Sequence, residues 1–283
     1  MNHLFVDNLT VIDFAYLDPS RGLVGESWIA DVVLGGELDD QGMVFDFSNV
    51  KRTIKRVIDE RVDHRLVIPD RNKGLSQSED TPGQFRWHLT DGTHIDHRSP
   101  SEAVVWLESD RVVPSVVAEL LERELKAVLP ANVTSVEINL REEEIDGAYY
   151  HYVHGLKKHL GNCQRIAHGH RSPIRIDRNG HRDYDLENHW AALWRDIYVG
   201  SEEDVARREV DADGTTYITF EYEANQGEFG LTLPECRVYM MDTDTTVELI
   251  AAHMASCIKA EYPEDSVRVK AYEGVGKGAI AVR

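Results

Sequence analysis

Apolar side chains recur along this chain with two spacings, one typical of helices and the other of strands. Four segments have apolar positions three or four residues apart. They begin near Ser48 (the predicted N-cap residue), Pro114, Tyr184 and Thr245. Their predicted buried faces are Val50, Ile54, Val57 and Ile58; Val117, Leu120, Leu121, Leu125 and Val128; Leu186, Trp190, Leu193, Trp194 and Ile197; and Val247, Ile250, Ala251, Met254 and Ile258. The sequence therefore predicts four amphipathic helices.

Strand-like stretches separate these helices. They cover residues 10–16, 27–34, 135–140, 148–153, 172–176 and 266–271. Residues 75–100 and 201–213 are less regular, and we interpret them as loops or weakly defined strands. Each half of the chain thus has the order β-β-α, a variable stretch, then α-β-β. This order predicts an α+β fold of antiparallel sheets with two helices on one face.

The helix that begins near Pro114 and the strand after it align without a gap with the helix that begins near Thr245 and its strand, which indicates an internal repeat. Ser135 falls on Ser266, and Glu142 falls on Glu273. The predicted units are residues 1–147 and 148–283, and no Gly-, Ser- or Pro-rich linker separates them. Such a tight junction favours one rigid assembly over two loosely tethered domains.

Composition narrows the class of protein. The chain has 283 residues, of which 42% are hydrophobic and 29% charged, a globular composition with room for two units. Its formal net charge of −19 argues against general nucleic-acid binding, which requires positive charge. No apolar run is long enough for a membrane span, the start does not resemble a signal peptide, and three cysteines are too few for a disulfide scaffold. We therefore expect a cytoplasmic protein.

Residues 150–176 form a local exception to the acidic charge. The window contains no Asp or Glu but includes Lys157, Lys158, Arg165, Arg171 and Arg175. It also contains five histidines, at positions 151, 154, 159, 168 and 170. A solvated basic loop would explain the charges alone. The concentration of imidazoles favours a metal or anion site instead.

His154, His168 and His170 are the strongest candidate metal ligands. A His-x-His pair on a strand places both imidazoles on one face, and a histidine from the preceding strand adds a third nitrogen. Three histidines with an open fourth position are typical of catalytic zinc. The alternative for an isolated His-Gly-His is an exposed, histidine-rich turn.

The order of motifs resembles the 6-pyruvoyl-tetrahydropterin synthase and 6-carboxy-tetrahydropterin synthase family. Three runs carry the resemblance: Tyr150-His151-Tyr152-Val153-His154; Cys163 followed by His168-Gly169-His170; and Asp46-Phe47-Ser48-Asn49-Val50-Lys51 leading to Asp63-His64. The resemblance covers nearly the whole chain, once per half. It implies two tandem tunnelling-fold (T-fold) units that assemble into a closed barrel ring, with a trimer of tandem units in place of six separate ones.

The two halves depart from the family pattern in opposite ways. In the first half the zinc positions fall on Asp18, Val24 and Glu26. In the second half the Asp-His position falls on Glu202-Glu203. The first half therefore keeps the acid–base pair and the second keeps the zinc ligands, as expected if each half supplies one side of a shared site.

The resemblance also implies roles for individual residues. Zinc would polarise the oxygens of the substrate side chain. Cys163 would act as general base, its thiolate favoured by zinc and the basic surroundings, while Cys236 and Cys257 are interpreted as inert buried thiols. Asp63 and His64 would shuttle a proton, although a polar pair at a helix end is the simpler alternative. Glu273, or alternatively Glu142, would anchor the pterin. Lys157, Lys158 and Arg171 are candidates for contacts to a triphosphate.

These assignments predict a zinc lyase acting on 7,8-dihydroneopterin triphosphate. The product would be 6-carboxy-tetrahydropterin, an intermediate of queuosine and deazapurine synthesis, or the 6-pyruvoyl compound, and no residue decides between them. A non-catalytic T-fold protein that retains a pterin pocket or a structural metal is the alternative from another class. The expected partner is the small-molecule substrate, with neither nucleic acid nor membrane involved.

Overall fold

The computed structural model describes residues 2–77 and 83–283, with the side chain of residue 77 left aside. The first half contains β1 (Asn2–Asp18), β2 (Gly22–Gly36), α1 (Phe47–Arg61), β3 (Leu66–Pro69), β4 (Leu75–Gln77), β5 (Gln84–His88), β6 (His94–Arg98), β7 (Val104–Leu107), α2 (Pro114–Lys126) and β8 (Val133–Glu142). The second half contains β9 (Tyr149–His154), β10 (His168–Arg178), β11 (His181–Arg182), α3 (Tyr184–Leu193), β12 (Ile197–Ser201), β13 (Val205–Val210), β14 (Thr216–Ala224), β15 (Gly227–Pro234), β16 (Val238–Met241), α4 (Val247–Glu261), β17 (Val267–Tyr272) and β18 (Gly278–Val282).

The α+β class is confirmed, but the sheets are mixed and not purely antiparallel. One sheet has the order β7-β3-β1-β2-β8, and a second has the order β16-β12-β9-β10-β17-β18, with β11 beside β10. In both sheets the two strands that flank the variable stretch run parallel to the neighbours they pair with (β3 with β1 and β7; β12 with β9 and β16). The first hairpin of each half is antiparallel (β1 with β2; β9 with β10). The last strand of each sheet is also antiparallel to its neighbour (β8 to β2; β18 to β17).

A third sheet joins the two halves. Its order is β13-β14-β15-β6-β5-β4, and the junction is the antiparallel pair of β15 with β6. Strands β4, β5, β6 and β13 come from the two stretches that the sequence pattern indicates to be loops or weakly defined strands, whereas β14 and β15 lie beyond them, where no strand was predicted. Residues 78–82 lie outside the described residues. A buried cluster that includes Trp87, Phe220 and Phe229 packs beneath this sheet.

The four predicted helices are present, with three differences in detail. Helix α2 ends at Lys126, and Val128, predicted on its buried face, lies beyond that end and is exposed. Asp46, not Ser48, caps α1, because the Asp46 carboxylate accepts the backbone N–H groups of Ser48 and Asn49. Helix α3 ends at Leu193, whose side chain is exposed, and Ile197 belongs to β12. Helices α1 and α2 share one apolar core with β1, β2 and β8, whereas α3 and α4 share another with β9, β10 and β17.

Strands β2 and β10 approach each other closely at two glycines. A Cβ on Gly25 would lie 2.0 Å from the carbonyl oxygen of Tyr152, and one on Gly169 would lie 2.5 Å from the same oxygen. Only glycine permits this backbone-to-backbone contact. The contact brings the first hairpin of each half against the other, and the candidate site lies beside it. Among the described residues, no helix combines the length and apolar character that a membrane crossing needs.

Candidate metal and acid–base site

The three predicted zinc ligands converge at the junction of β9 and β10. His154 ends β9 and lies opposite His168, the first residue of β10, and His170 follows two positions later. One ring nitrogen from each histidine lies within 4.8 Å of those of the other two. All three side chains are buried. The structure thus brings together the three ligands that the sequence predicts.

Hydrogen bonds orient two of these imidazoles. Nδ1 of His154 donates to the carbonyl oxygen of Thr245 at 2.9 Å, and Nδ1 of His168 donates to that of Arg165 at 3.0 Å. A carbonyl can only accept, so the proton is on Nδ1 and Nε2 carries the lone pair in both rings. Nε2 of His154 lies 3.4 Å from Nε2 of His170. Nε2 of His168 is buried and has no hydrogen-bond partner in the described residues.

The cluster therefore fits a divalent metal such as zinc. Burial lowers the pKa of both His154 and His168 well below the usual value, which keeps the rings neutral, the form that binds metal. A buried nitrogen lone pair without a donor is costly unless something occupies it. Three imidazole nitrogens are a donor set that suits zinc and leaves a position open.

Asp13 of β1 is a site residue that the sequence reasoning missed. Its Oδ1 lies 3.2 Å from Nδ1 of His170, and its Oδ2 lies 3.0 Å from Nζ of Lys277. Ser27 also donates its hydroxyl to Asp13 at 2.5 Å. Burial alone would raise the pKa of Asp13, but His170 and Lys277 outweigh it and hold the pKa below the ordinary value. The contact between Asp13 and His170 is within ion-pair distance but lacks hydrogen-bond geometry, so Asp13 faces the imidazole mainly with its charge. Carboxylates commonly occupy this position beside metal-binding histidines.

Asp63 and His64 reach the cluster from the other half of the chain. His64 adopts the left-handed backbone conformation, with φ of 54°, after the end of α1. One oxygen of Asp63 lies 2.6 Å from Nδ1 of His64, and the other accepts the backbone N–H of Asp13 at 2.9 Å. The Asp63 carboxylate thus holds both the imidazole and the strand that carries Asp13.

His64 is placed for proton transfer. Its ring stacks on that of His168 with centroids 5.2 Å apart, and one ligand atom each of His64, Cys163 and His168 lie within 4.8 Å of one another. Burial lowers the pKa of His64, but the neighbouring Asp63 and Cys163 outweigh this effect and raise it to about 10. The short contact with Asp63 therefore favours the protonated form of His64.

The loop that carries Cys163 is tied to the third sheet. Cys163 lies in a short turn, Asn162–Gln164, and its carbonyl accepts the N–H of Leu156 at 2.9 Å. The carbonyl of Gln164 accepts the Tyr222 hydroxyl at 2.7 Å, and its side-chain oxygen accepts the backbone N–H of Gln226 at 2.7 Å. The other two cysteines, Cys236 and Cys257, are exposed, so the expectation that they are buried is wrong.

The two candidate pterin anchors lie in different surroundings. Oε1 of Glu273 lies 4.0 Å from Nε2 of His170, beside the histidine cluster. The Glu142 carboxylate pairs with Arg171 at 3.5 Å, and Glu142 lines a separate cleft.

The candidate triphosphate contacts already have acidic partners. Lys157 pairs with Asp204 at 2.5 Å and Glu203 at 3.2 Å, and Lys158 pairs with Glu203 and Asp244. These acidic residues lie outside residues 150–176, the segment that contains no Asp or Glu. The composition of that segment alone therefore does not reveal the ion pairs. Arg171, buried beside Glu142, is likewise paired.

The strand register corrects two of the predicted counterparts. In the first hairpin Gly25 pairs with Ala15, and in the second hairpin Gly169 pairs with Val153. The next residue along the strand is Tyr16 in the first hairpin and His154 in the second. Tyr16, and not Asp18, is therefore the counterpart of His154. The counterparts of His168 and His170 are Val24 and Glu26, as expected.

The expected counterpart of Asp63-His64 is also wrong. Leu66 pairs with Ala15, and Tyr198 pairs with Val153, the counterpart of Ala15. Leu66 and Tyr198 are therefore counterparts. Counting back from them, Asp63-His64 corresponds to Arg195-Asp196 and not to Glu202-Glu203. Asp196 has the same φ of 54° as His64. The reason is the shorter helix, because α3 has 10 residues and α1 has 15.

Comparisons with known proteins point to one family. The family model described as 6-pyruvoyl tetrahydropterin synthase matches residues 13–153, a segment that contains Asp63 and His64 and ends one residue before His154. A protein of Methanocaldococcus jannaschii, provisionally named 6-carboxy-5,6,7,8-tetrahydropterin synthase, is 28% identical over 143 residues, which cover 47% of this chain and 82% of that protein.

Solved structures of two Plasmodium proteins are also similar. The 6-pyruvoyl tetrahydropterin synthase of Plasmodium vivax matches with a TM-score of 0.43 and 18% identity, covering 51% of this chain and 93% of that one. The corresponding Plasmodium falciparum protein matches with a TM-score of 0.41 and 17% identity, covering 49% and 90%.

Proposed function

The chain belongs to the 6-pyruvoyl tetrahydropterin synthase family, and on that premise we propose that it is a zinc-dependent lyase which converts 7,8-dihydroneopterin triphosphate to 6-carboxy-5,6,7,8-tetrahydropterin. The observation that best supports this proposal is that His64, from one half of the chain, lies close to Cys163 and His168 from the other half. Such a reaction would supply queuosine and deazapurine synthesis. Two tandem T-fold units, residues 1–147 and 148–283, would build the site between them.

His154, His168 and His170 would hold the zinc. When bound, the ion supplies Lewis-acid polarisation of the hydroxyl and carbonyl oxygens on the pterin side chain. Asp13 faces the His170 ring with its charge, and the carbonyl oxygens of Thr245 and Arg165 fix the other two rings. The protein thus presents a donor set that is arranged before the ion arrives.

Cys163 would remove a proton from a side-chain carbon of the substrate, and His64 would deliver or accept a proton on the other side. The short contact with Asp63 holds the His64 tautomer and orientation, as a general acid–base pair requires. Glu273 would accept two N–H bonds from the aminopyrimidinone edge of the pterin, a planar bidentate match. Lys157 and Arg171 stay candidates for the triphosphate only if their present acidic partners exchange for phosphate.

The proposed assembly is a trimer of this chain that closes into a barrel ring. Strand β18 is an unpaired edge in the described part of the sheet, and Ile280 and Val282 on it are exposed. Exposed apolar edges of this kind are normally covered by a neighbouring strand. Light scattering on the purified protein tests this assembly, and a monomer would contradict it.

Incubation with 7,8-dihydroneopterin triphosphate, followed by mass identification of the products, tests the reaction. The substrate side chain has three carbons and the carboxyl product retains one, so a two-carbon fragment must be released together with triphosphate. The 6-pyruvoyl product would retain all three carbons. Wild-type activity in Cys163→Ala or His64→Ala would contradict the assigned roles. Less than about half an equivalent of zinc in the purified protein would favour a non-catalytic, pterin-binding protein.

A further inference from the structure

A second cleft lies on the opposite side of the glycine contact from the histidine cluster. Its volume is about 660 Å³, and the residues that matter for its chemistry are Arg21, Glu142, Tyr149, His151, Arg195 and Asp196. Both halves of the chain contribute to it. The cleft shares none of these residues with the zinc and acid–base site.

The strand register places this cleft where the first half would carry its own zinc site. Tyr16, Val24 and Glu26 stand in the positions of His154, His168 and His170. Asp13 and His151 also occupy corresponding positions. In the zinc site Asp13 faces His170, whereas in the second cleft His151 faces Glu26, so the acid and the histidine have exchanged places. Oε2 of Glu26 lies 3.9 Å from Nδ1 of His151. The imidazole triad is absent, and the position cannot hold zinc in the same manner.

An ionic network replaces the missing ligands. Arg21 donates to both oxygens of Asp196, at 3.0 and 2.6 Å, and to the Tyr16 hydroxyl at 3.0 Å. Asp196 is the counterpart of His64, so the acid–base position is occupied by a carboxylate that is already neutralised. This arrangement stabilises the walls of the cleft without supplying a base or an electrophile.

The polar groups that face the cleft suit a planar ligand with one donor edge and one negative group. Glu142 is more than half exposed (55%) and has Arg171 behind it at 3.5 Å, so its carboxylate can accept two N–H bonds. The Tyr149 ring is exposed, with the Arg171 guanidinium 4.3 Å from its centroid. Arg195 makes no ion pair within the described part of the chain. The buried Tyr150 hydroxyl, also at this cleft, has no hydrogen-bond partner there.

We propose that this cleft is a second, metal-free binding site for a pterin that carries a carboxylate. Glu142 accepts the N–H groups of the aminopyrimidinone edge, Tyr149 packs against the ring, and Arg195 pairs with the carboxylate. The choice of a pterin rests on the proposed function, because the carboxylated pterin is the proposed product. The ligand binds here without reacting.

Equilibrium dialysis with 6-carboxypterin tests the proposal on the full-length, zinc-loaded protein. We expect two molecules per chain for the wild type, one for Glu142→Gln and one for Glu273→Gln. Glu144→Gln, which changes an exposed acid two residues away, is the matched control and should bind two. Arg195→Ala should weaken the Glu142-dependent binding of 6-carboxypterin at least tenfold and leave the binding of unsubstituted pterin unchanged.

The outcomes separate this site from the proposed function. One molecule per chain, lost in Glu273→Gln and kept in Glu142→Gln, overturns the second site and leaves the proposed function intact. One molecule per chain, lost in Glu142→Gln and kept in Glu273→Gln, supports the second site and contradicts the role of Glu273. No binding to the wild type overturns the second site, and the product assay with 7,8-dihydroneopterin triphosphate then decides the proposed function separately. Circular dichroism of each variant shows whether a loss of binding reflects a loss of fold, and Glu142→Asp then provides a second, conservative test.

Discussion

The imidazole of His64 stacks on that of His168, with ring centroids 5.2 Å apart, although the two residues belong to different halves of the chain. Arg165 strengthens the connection, because its guanidinium donates to the carbonyl oxygen of His64 at 3.2 Å and to Gln226 at 3.0 Å. The acid–base pair and the metal cluster are thus joined within one chain. A single folded copy brings them together before any assembly forms.

His64→Ala should remove proton transfer while leaving the metal cluster in place. We expect kcat to fall by about 10²- to 10⁴-fold, the usual contribution of a positioned acid or base. The zinc content should stay at the wild-type level, because His154, His168 and His170 are unchanged. Steady-state kinetics and metal analysis on the same preparation test both points. His159→Ala, which changes an exposed histidine in the loop between β9 and β10, is the control and should retain activity. A joint loss of zinc would show that His64 is a ligand.

Asp13→Asn should weaken zinc binding by about 10- to 100-fold, the typical effect of removing a carboxylate beside a metal-binding histidine. The amide keeps the size of the side chain but removes the charge that faces His170 and Lys277. Competition with a chromophoric chelator measures the affinity directly. Asp31→Asn, which disrupts a surface pair with Arg141, serves as the control. An unchanged affinity in Asp13→Asn would exclude this role.

The sequence predicts the local parts of this site well. The period of two along a strand places His168 and His170 together, and a short motif carries Asp63 and His64. Asp13 shows what is missed. It is an isolated acid in an apolar strand, between Ile12 and Phe14. That signal marks a buried charge, but its partners His170 and Lys277 lie far along the chain, and only the fold brings them within reach.

The errors have similar physical causes. Asp18 was expected at the position that Tyr16 occupies, because the first hairpin has a short turn where the second has the long loop that carries Cys163. The third sheet was not expected because β4, β5, β6 and β13 have only three to six residues each, and because the two halves of the sheet are joined by a single pairing, that of β6 with β15. Neither turn length nor cross-half pairing leaves a periodic signal in the sequence.

Gly25→Ala should destabilise the contact between the two halves. The added Cβ would lie 2.0 Å from the carbonyl oxygen of Tyr152 and 2.6 Å from the backbone nitrogen of His170, so backbone would have to move. We expect a loss of about 1–3 kcal/mol in the free energy of unfolding, the usual cost of overpacking, together with reduced activity. Urea unfolding and kinetics provide the measurements. Gly230→Ala, whose Cβ meets its neighbours at 3.5 Å or more, is the control. Equal stability of the two variants would mean that the strands can separate without cost.

Glu26→Gln should change how stability depends on pH. Burial raises the pKa of Glu26 to about 8, and the nearby Glu142 adds to the effect. Between the unfolded value near 4.5 and about 8, the folded state keeps a proton that the unfolded state has lost, so the free energy of unfolding falls as pH rises. The slope from one such group is about 1.4 kcal/mol per pH unit.

The variant has no carboxyl to ionise at this position, and its side-chain oxygen can still accept the backbone N–H of Ser27. Urea unfolding of both proteins from pH 5 to 9 should therefore show a difference that grows with pH in favour of Glu26→Gln and levels off above about pH 8. Parallel curves would mean that Glu26 ionises in the folded protein as readily as in the unfolded chain. In that case Arg171 and Arg21, the positive charges that lower the pKa of Glu26, must compensate its charge fully.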